Sequence, residues 1–331
     1  MTARRTLTRI GLAAASLLLV GAGVGEAYEA ARPSAGMHDK LRIIAPAAPG
    51  GGWDTTAREL QNAAQANDLT GTGEVLNVEG AGGTIGLARL VNQPGDTNTL
   101  MLTGTTMLGA VEINGSPATV QDTTPIAKIT EDFDAIVVPA NSPLRTTADL
   151  VQRWRTDPGA VAVGGGSIGS LDHLLAGSLA GAAGVGPSDL NYIAHSGGGE
   201  MVASLLGGHL DVGVANTNEI SDQVETGELR ALGVGAPERS GDLPGTPTLR
   251  EQGIDIAMSN WRGLTAAPGL DEADEKRIQD YVRKLTATPQ WRDALERNNW
   301  IDAFQTGPEF QRFLRQDTEN IRAITSRLGL S

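Results

Sequence analysis

Apolar positions along the chain alternate between two rhythms, short runs that read as strands and longer stretches spaced by three and four that read as helix faces. Leu41, Ile43 and Ile44 predict a strand, and Trp53, Ala57, Leu60 and Ala64 draw a helix face, with Gly50, Gly51 and Gly52 between them. The unit repeats at once. Val75, Leu76 and Val78 precede Gly80, Gly82, Gly83 and Gly86, and Thr84 is placed to cap a helix marked by Leu87, Leu90 and Val91. A third strand over 99–102 ends in the hydroxyls of Thr103, Thr105 and Thr106. A strand near 136–138 leads to Pro139 and Pro143, which mark a crossing between lobes.

After a helix at Leu150, Val151 and Trp154, the second half follows the same logic. A strand over 161–163 runs into the glycine loop 164–170, and Leu171, Leu174, Leu175 and Leu179 mark the next helix. The strand 190–193 leads to His195, Ser196 and three glycines, followed by a helix that stops at Gly207 and Gly208. The strand 211–214 is followed by Asn216, a helix over 219–226 and a strand over 229–234. Pro237, Pro244 and Pro247 mark an exposed connection, and 261–266 reads as a second crossing strand. The remainder reads as helical, with Ile278, Val282, Leu285, Trp291, Phe310, Leu314 and Ile321 packing back on the first lobe.

Short strands alternating with helices predict an α/β fold, and 331 residues suffice for two lobes with their own cores. In such a sheet the carboxyl ends of parallel strands share one edge, where ligands bind, so the loops near 50, 82 and 105 converge there. Glycine loops opening onto helix N-termini present backbone N–H groups and a positive dipole end, a combination suited to an anion. No Gly-Lys-Ser/Thr triplet occurs, so these are not nucleotide P-loops.

Charge and composition narrow the partners. The net charge of −13 and the lack of a basic face argue against nucleic acid. Cysteine is absent, which removes disulfides, thiolate chemistry and a lipidated N-terminus. Arg4, Arg5 and Arg9, the apolar run 10–24 and the small residues around Ala27 predict an export signal over 1–27, cleaved or retained as an anchor. Residues 28–38 read as a tether. The protein is thus expected outside the cytoplasm, secreted or held at the outer membrane face.

Two motifs tempt toward catalysis. Gly164, Gly166 and Gly169 match a dinucleotide fingerprint, but the next strand ends at Ala194 and His195 rather than at an acid. Gly165, Ser167 and Gly169 match a nucleophile elbow, which leaves a secreted serine hydrolase using Ser167 as the competing class. Against it, Ser167 and Ser170 suit helix capping and hydrogen bonding to a ligand. His38, His173, His195 and His209 are scattered, so no metal or other cofactor is expected. Asp54 suits a cap better than contact with an anion, and Arg58 a solvent-facing role.

Pro46, Pro49 and the glycines before Trp53 and Asp54, the 77–86 segment, the glycines before Glu200, the 207–211 turn, and Trp261, Gly263, Leu264 and Pro268 occur in that order. As a set they closely resemble the substrate-binding receptors of tripartite tricarboxylate transporters, from about residue 40 to the C-terminus. The resemblance implies a two-lobed, clam-shell fold of the type II periplasmic-binding-protein kind, with a central sheet in each lobe. The first lobe would comprise 39–138, the second 139–258, and 259–331 would return to complete the first. It implies a non-enzymatic, monomeric receptor that captures a citrate-like tricarboxylate or a dicarboxylate for membrane permease subunits. Carried over from the family, ligand contacts fall on Pro49, Gly51, Gly52 and Asp54, then on Gly82, Gly83 and Thr84. In the second lobe they fall on Gly166, Ser167, Gly169 and Ser170, and strand-end position adds Thr105, Ser196 and Asn216. Many relatives have a Tyr-x-Gly turn where this chain has Tyr192, Ala194 and His195.

Overall fold

Strand β4 (Thr124–Pro139) is the spine of the molecule. At 16 residues it far exceeds the usual five or six, and it is buried along most of its length. Its first part pairs antiparallel with β9 (Ser259–Ala266) on one side and β10 (Ile301–Thr306) on the other. Its last part pairs with β7 (Val212–Asn216) and β8 (Leu229–Val234). The exchange falls between adjacent residues, since Phe133 faces Ser259 while Asp134 faces Asn216. The chain therefore crosses between lobes inside a continuous strand, ahead of the expected crossing at Pro139 and Pro143.

The computed structural model describes residues 36–330; the expected signal and most of the tether, 1–35, lie outside the described residues. In the first lobe, parallel strands β1 (Lys40–Ala45), β2 (Thr72–Asn77) and β3 (Thr99–Gly104) extend the sheet from β9. In the second, β5 (Val163–Gly165) and β6 (Tyr192–Ala194) continue in parallel from β7. Each lobe thus has its own sheet region joined through β4, which is the two-lobed α/β fold expected.

Helices cover both faces of each region because the apolar stripes demand it. Leu60 of α1 (Gly52–Ala66) packs with Ile278 and Val282 of α8 (Glu272–Thr286) and Trp291 of α9 (Pro289–Arg297). On the opposite face, Leu87 and Leu90 of α2 (Thr84–Val91) meet Met107 and Leu108 of α3 (Thr105–Ile113) and Phe310 of α10 (Gly307–Arg327). The second lobe buries Trp154 of α4 (Thr147–Thr156) and Leu175 of α5 (Leu171–Ala182) on one side. Met201 of α6 (Gly198–Leu206) and Ile220 of α7 (Thr217–Glu225) fill the other.

Three local expectations change. Residues 105–113 form a helix where only a hydroxyl-rich run was expected, because Met107, Leu108 and Val111 bury against α2 and α10. The tail is not wholly helical, since β10 adds an edge to β4. It also reaches past the first lobe: Leu328, just beyond α10, abuts Gly177 of α5.

Candidate functional site

The first glycine loop is held from inside by a carboxylate. Asp54, at the third position of α1, is 2% exposed and accepts the Gly50 N–H at 2.8 Å, Arg58 Nε at 2.9 Å and Asn77 Nδ2 at 2.8 Å. The Arg58 guanidinium, helped by Gly50 and Asn77, pulls the Asp54 carboxyl down to about 2 against the opposing pull of burial. Gly51, not Asp54, occupies the N-cap position. The carboxylate turns inward to fix the loop, and Arg58, although exposed, pairs with it rather than facing solvent alone. Pro49, Gly50 and Gly52 are exposed, and the first-turn N–H groups from Gly52 onward have no partner within the helix.

The second loop packs against the first. Gly83 has φ 94°, and a Cβ there would lie 2.8 Å from Met107 and 2.9 Å from Trp53, so both conformation and space require glycine. Gly82 is exposed beside Ala110. The hydroxyl of Thr84 donates to Ala81 O at 3.0 Å, and Gly83 takes the cap position expected of Thr84. Thr105 is buried and donates to Ser259 O at 2.7 Å, tying α3 to β9. It lines a cavity of about 350 Å3 beside Trp261 and Asp317.

The second lobe uses the same device. Asp172, in the first turn of α5, accepts the Gly166 N–H, and Tyr192 donates its hydroxyl to Gly166 O at 2.9 Å. His173 Nδ1 accepts from Gly169 N at 3.1 Å, while its ring lies tilted against Tyr192 with 4.3 Å between centroids. Burial lowers the His173 pKa, which favours the neutral ring that this acceptor role requires. Ser170 caps α5, and Ser167 projects exposed from the loop. A Cβ on Gly169 would strike Ile113 of α3, so this loop touches the first lobe directly. Further along, Glu200 accepts the Ser196 N–H at 2.8 Å, a third loop fixed by an acid at a helix start. Asn216 is buried with both ends of its amide engaged, its oxygen capping α7 and its nitrogen donating to Asp132.

The second loop thus packs on the first and the 164–170 loop abuts α3, while several side chains are committed to holding them. Asp54, Thr84, Thr105 and Asn216 serve the frame, whereas Gly52, Gly82 and Ser167 remain exposed. No histidine ring bonds to Ser167 among the described residues, so the elbow lacks the base that its chemistry needs.

Sequence reasoning passed over a group at the exchange point of β4. Asp132 accepts the side-chain amides of Asn216 and, at 2.8 Å, Asn260. Its Oδ2 lies 3.1 Å from Arg262 Nη2, and that guanidinium stacks over Trp300 and lies against Gly52. Burial raises the Asp132 pKa, opposed by Arg262. Asp134, fully enclosed, is raised further by burial and by the neighbouring Asp172. Glu219, in the first turn of α7, is pushed up to about 7 by the surrounding protein and by Asp172 and Asp132, although its side chain stays open to solvent. The available signal was the alternate spacing of Asp132 and Asp134, which puts both on one side of a strand.

The family described as "Tripartite tricarboxylate transporter family receptor" matches residues 56–330. A curated Cupriavidus necator protein, described as a UPF0065 protein in the gbd 5′ region, is 29% identical across 100% of this chain and 99% of its own. Protein BugT of Bordetella pertussis is 28% identical over 80% of each. Among solved structures, a ligand-free TctC solute-binding protein from Polaromonas has a TM-score of 0.74 at 28% identity, covering 89% of this chain and 99% of its own. MatC from Rhodopseudomonas palustris with bound malate has a TM-score of 0.71 at 22% identity, with coverage of 86% and 98%, a likeness of fold.

Proposed function

The chain belongs to the tripartite tricarboxylate transporter family of receptors, and on that footing we propose that it captures a small di- or tricarboxylate between its lobes and delivers it to membrane permease subunits. It works as a monomer outside the cytoplasm, and the citrate-like acids suggested by the first loop head the candidate ligands. The observation that supports this most is the approach of the second lobe's glycine loop to helix α3, which also borders the second loop of the first lobe. Gly82 lies beside Ala110 of α3, and Gly169 abuts Ile113 of the same helix. In this reading Pro49, Gly51, Gly52, Gly82 and Gly83 surround one end of the ligand. Gly166, Ser167, Gly169, Ser170 and Ser196 close over the other, and Asp54, Thr84, Thr105 and Asn216 hold the contacts in place. Backbone donors at both walls favour the closed form once an anion is bound. The malate bound by MatC, whose fold is similar, is consistent with that ligand class. Among the described residues no helix is long and apolar enough to cross a membrane.

Thermal unfolding against citrate, tricarballylate, succinate, malate and terephthalate, with neutral controls, tests the proposal. A ligand at about a hundred times its Kd adds roughly 2.7 kcal/mol, a shift of several degrees. A saturable shift with one or a few acids is expected. If no acid shifts the transition and an ester is turned over by the protein but not by Ser167→Ala, the receptor reading is wrong.

A further inference from the structure

The alternation of β9 sends Trp261 toward α10, where its Nε1 donates to Asp317 at 2.7 Å, and Arg262 toward the opposite side, against Gly52. On the α10 side, away from the first glycine loop, lies a groove of about 750 Å3, a volume ordinary for a small-molecule site. It runs between α5 of the second lobe and the last turns of α10, along the segment 254–258 that leads into β9. Much of its surface is aliphatic. Ile254, Ile256 and Met258 come from that segment, and Ile324 and Leu328 from the end of α10; all five stay half-buried. Glycines shape the α5 side. A Cβ on Gly177 would lie 2.6 Å from Leu328, so the walls touch there, whereas a Cβ on Gly181, one turn on, would meet nothing within 4 Å.

The polar groups of the groove are mostly donors. Arg250 is paired with the exposed Asp255, but Arg327 has no ion-pair partner among the described residues and gives its Nε to Ala323 O of its own helix. The backbone N–H groups of Asp255 and Ala257 likewise find no acceptor among the described residues. We propose that this groove is a second binding site, separate from the cleft, for an amphipathic anion: a medium-chain fatty acid whose alkyl chain lies along Ile254, Ile256 and Met258 and whose carboxylate meets Arg327. An uncharged apolar guest would cover the guanidinium without pairing it, which is costly. A di- or tricarboxylate would leave the aliphatic surface wet and bring extra charge toward Asp255. One carboxylate at the end of an alkyl chain satisfies both halves of the groove. The site does not depend on which acid occupies the cleft.

The test titrates hexanoate, octanoate and decanoate calorimetrically into the protein near neutral pH and below micellar concentrations, with octan-1-ol as the uncharged counterpart of octanoate. Affinity is expected to rise about fivefold or more with each two-carbon step, because each added methylene leaves water. Octanoate is expected to bind about tenfold more tightly than octan-1-ol, and Arg327→Gln to remove that preference. Gly181→Leu places a side chain in the open part of the groove at a position where a helix favours leucine over glycine. It is expected to weaken decanoate at least thirtyfold without lowering the unfolding midpoint. Neither substitution touches the cleft, so decanoate binding that survives both belongs to the cleft, and this proposal fails while the receptor reading stands. Absence of decanoate binding, affinity that does not grow with chain length, or equal binding of octanoate and octan-1-ol also overturns it.

Discussion

Asp54 and Asp172 perform the same local task in the two lobes, each reaching from a helix start to take an N–H of its own glycine loop, yet they sit in opposite electrostatic settings. Around Asp54 every charge is answered, with Arg58 on one oxygen and Asn77 on the other. Asp172 instead adjoins Asp134, with Glu219 and Asp132 in the same field and Arg262 already paired to Asp132. A loop clamp is thus separable from charge balance. The first lobe is complete on its own terms, and the second carries a surplus that a proton or a cationic group can relieve.

Removing the two clamps should break this symmetry most visibly. Asp54→Ala takes the acceptor from the Gly50 N–H and leaves the Asn77 amide only Ala47 O, and a loss of about 3 kcal/mol is expected in urea unfolding. Asp172→Ala also frees a loop N–H, but it relieves the crowding at Asp134, so less than half that loss is expected. Equal losses would mean that the surplus acids of the second lobe do not strain it.

The balanced half was the more legible in the sequence. Gly50 to Gly52 between an apolar run and the Trp53, Ala57, Leu60 face reveals strand, loop and helix without tertiary information, as does the 164–170 loop before Leu171. What stayed hidden depends on partners distant in the chain. Glu131, Asp132 and Asp134 interrupt the apolar pattern of β4, so only its end near Ile136 to Val138 announced a strand. Asp132 is accommodated in the sheet because Asn260 and Arg262 reach it from 128 and more residues away. Helix α3 opens with two β-branched threonines and depends on burial of Met107 and Val111, which local preference does not register. The inward turn of Asp54 was equally invisible, because Asn77 reaches it from the neighbouring strand β2.

Titration sharpens the comparison, because the two regions respond to pH with opposite sign. A carboxyl lowered in the fold stabilises above its unfolded value and loses that contribution as pH falls. For Asp54 this occurs between about 4 and about 2, and amounts to on the order of 1 kcal/mol because its partner Arg58 is exposed and screened by solvent. A carboxyl raised in the fold keeps a proton that the unfolded chain releases, so stability declines as pH rises. For Glu219 the decline runs from about 4.5 through about 7, and Asp134 and Asp132 add to it in the same direction. Unfolding midpoints should therefore peak in mildly acidic buffer and fall toward pH 8 in the absence of ligand. Asp134→Asn, which keeps the shape and removes the charge, should flatten that fall and raise the unfolding midpoint at the alkaline end. An unchanged slope would place the titrating surplus elsewhere.

The smallest effect concerns whether the second loop contributes side chains or only backbone. Ser167 is exposed, whereas the loop around it is fixed by Asp172, His173, Ser170 and Tyr192. Ser167→Ala should therefore leave stability within about 0.5 kcal/mol of the parent, since no clamp is touched. Carboxylate binding should weaken only about threefold, the loss of one exposed hydroxyl donor among several backbone N–H groups. A hundredfold loss would mean that the hydroxyl, not the backbone, is the principal donor of the second lobe. No loss at all would assign that wall to Gly166, Gly169 and the start of α5, and the two lobes would then grip the anion by backbone alone.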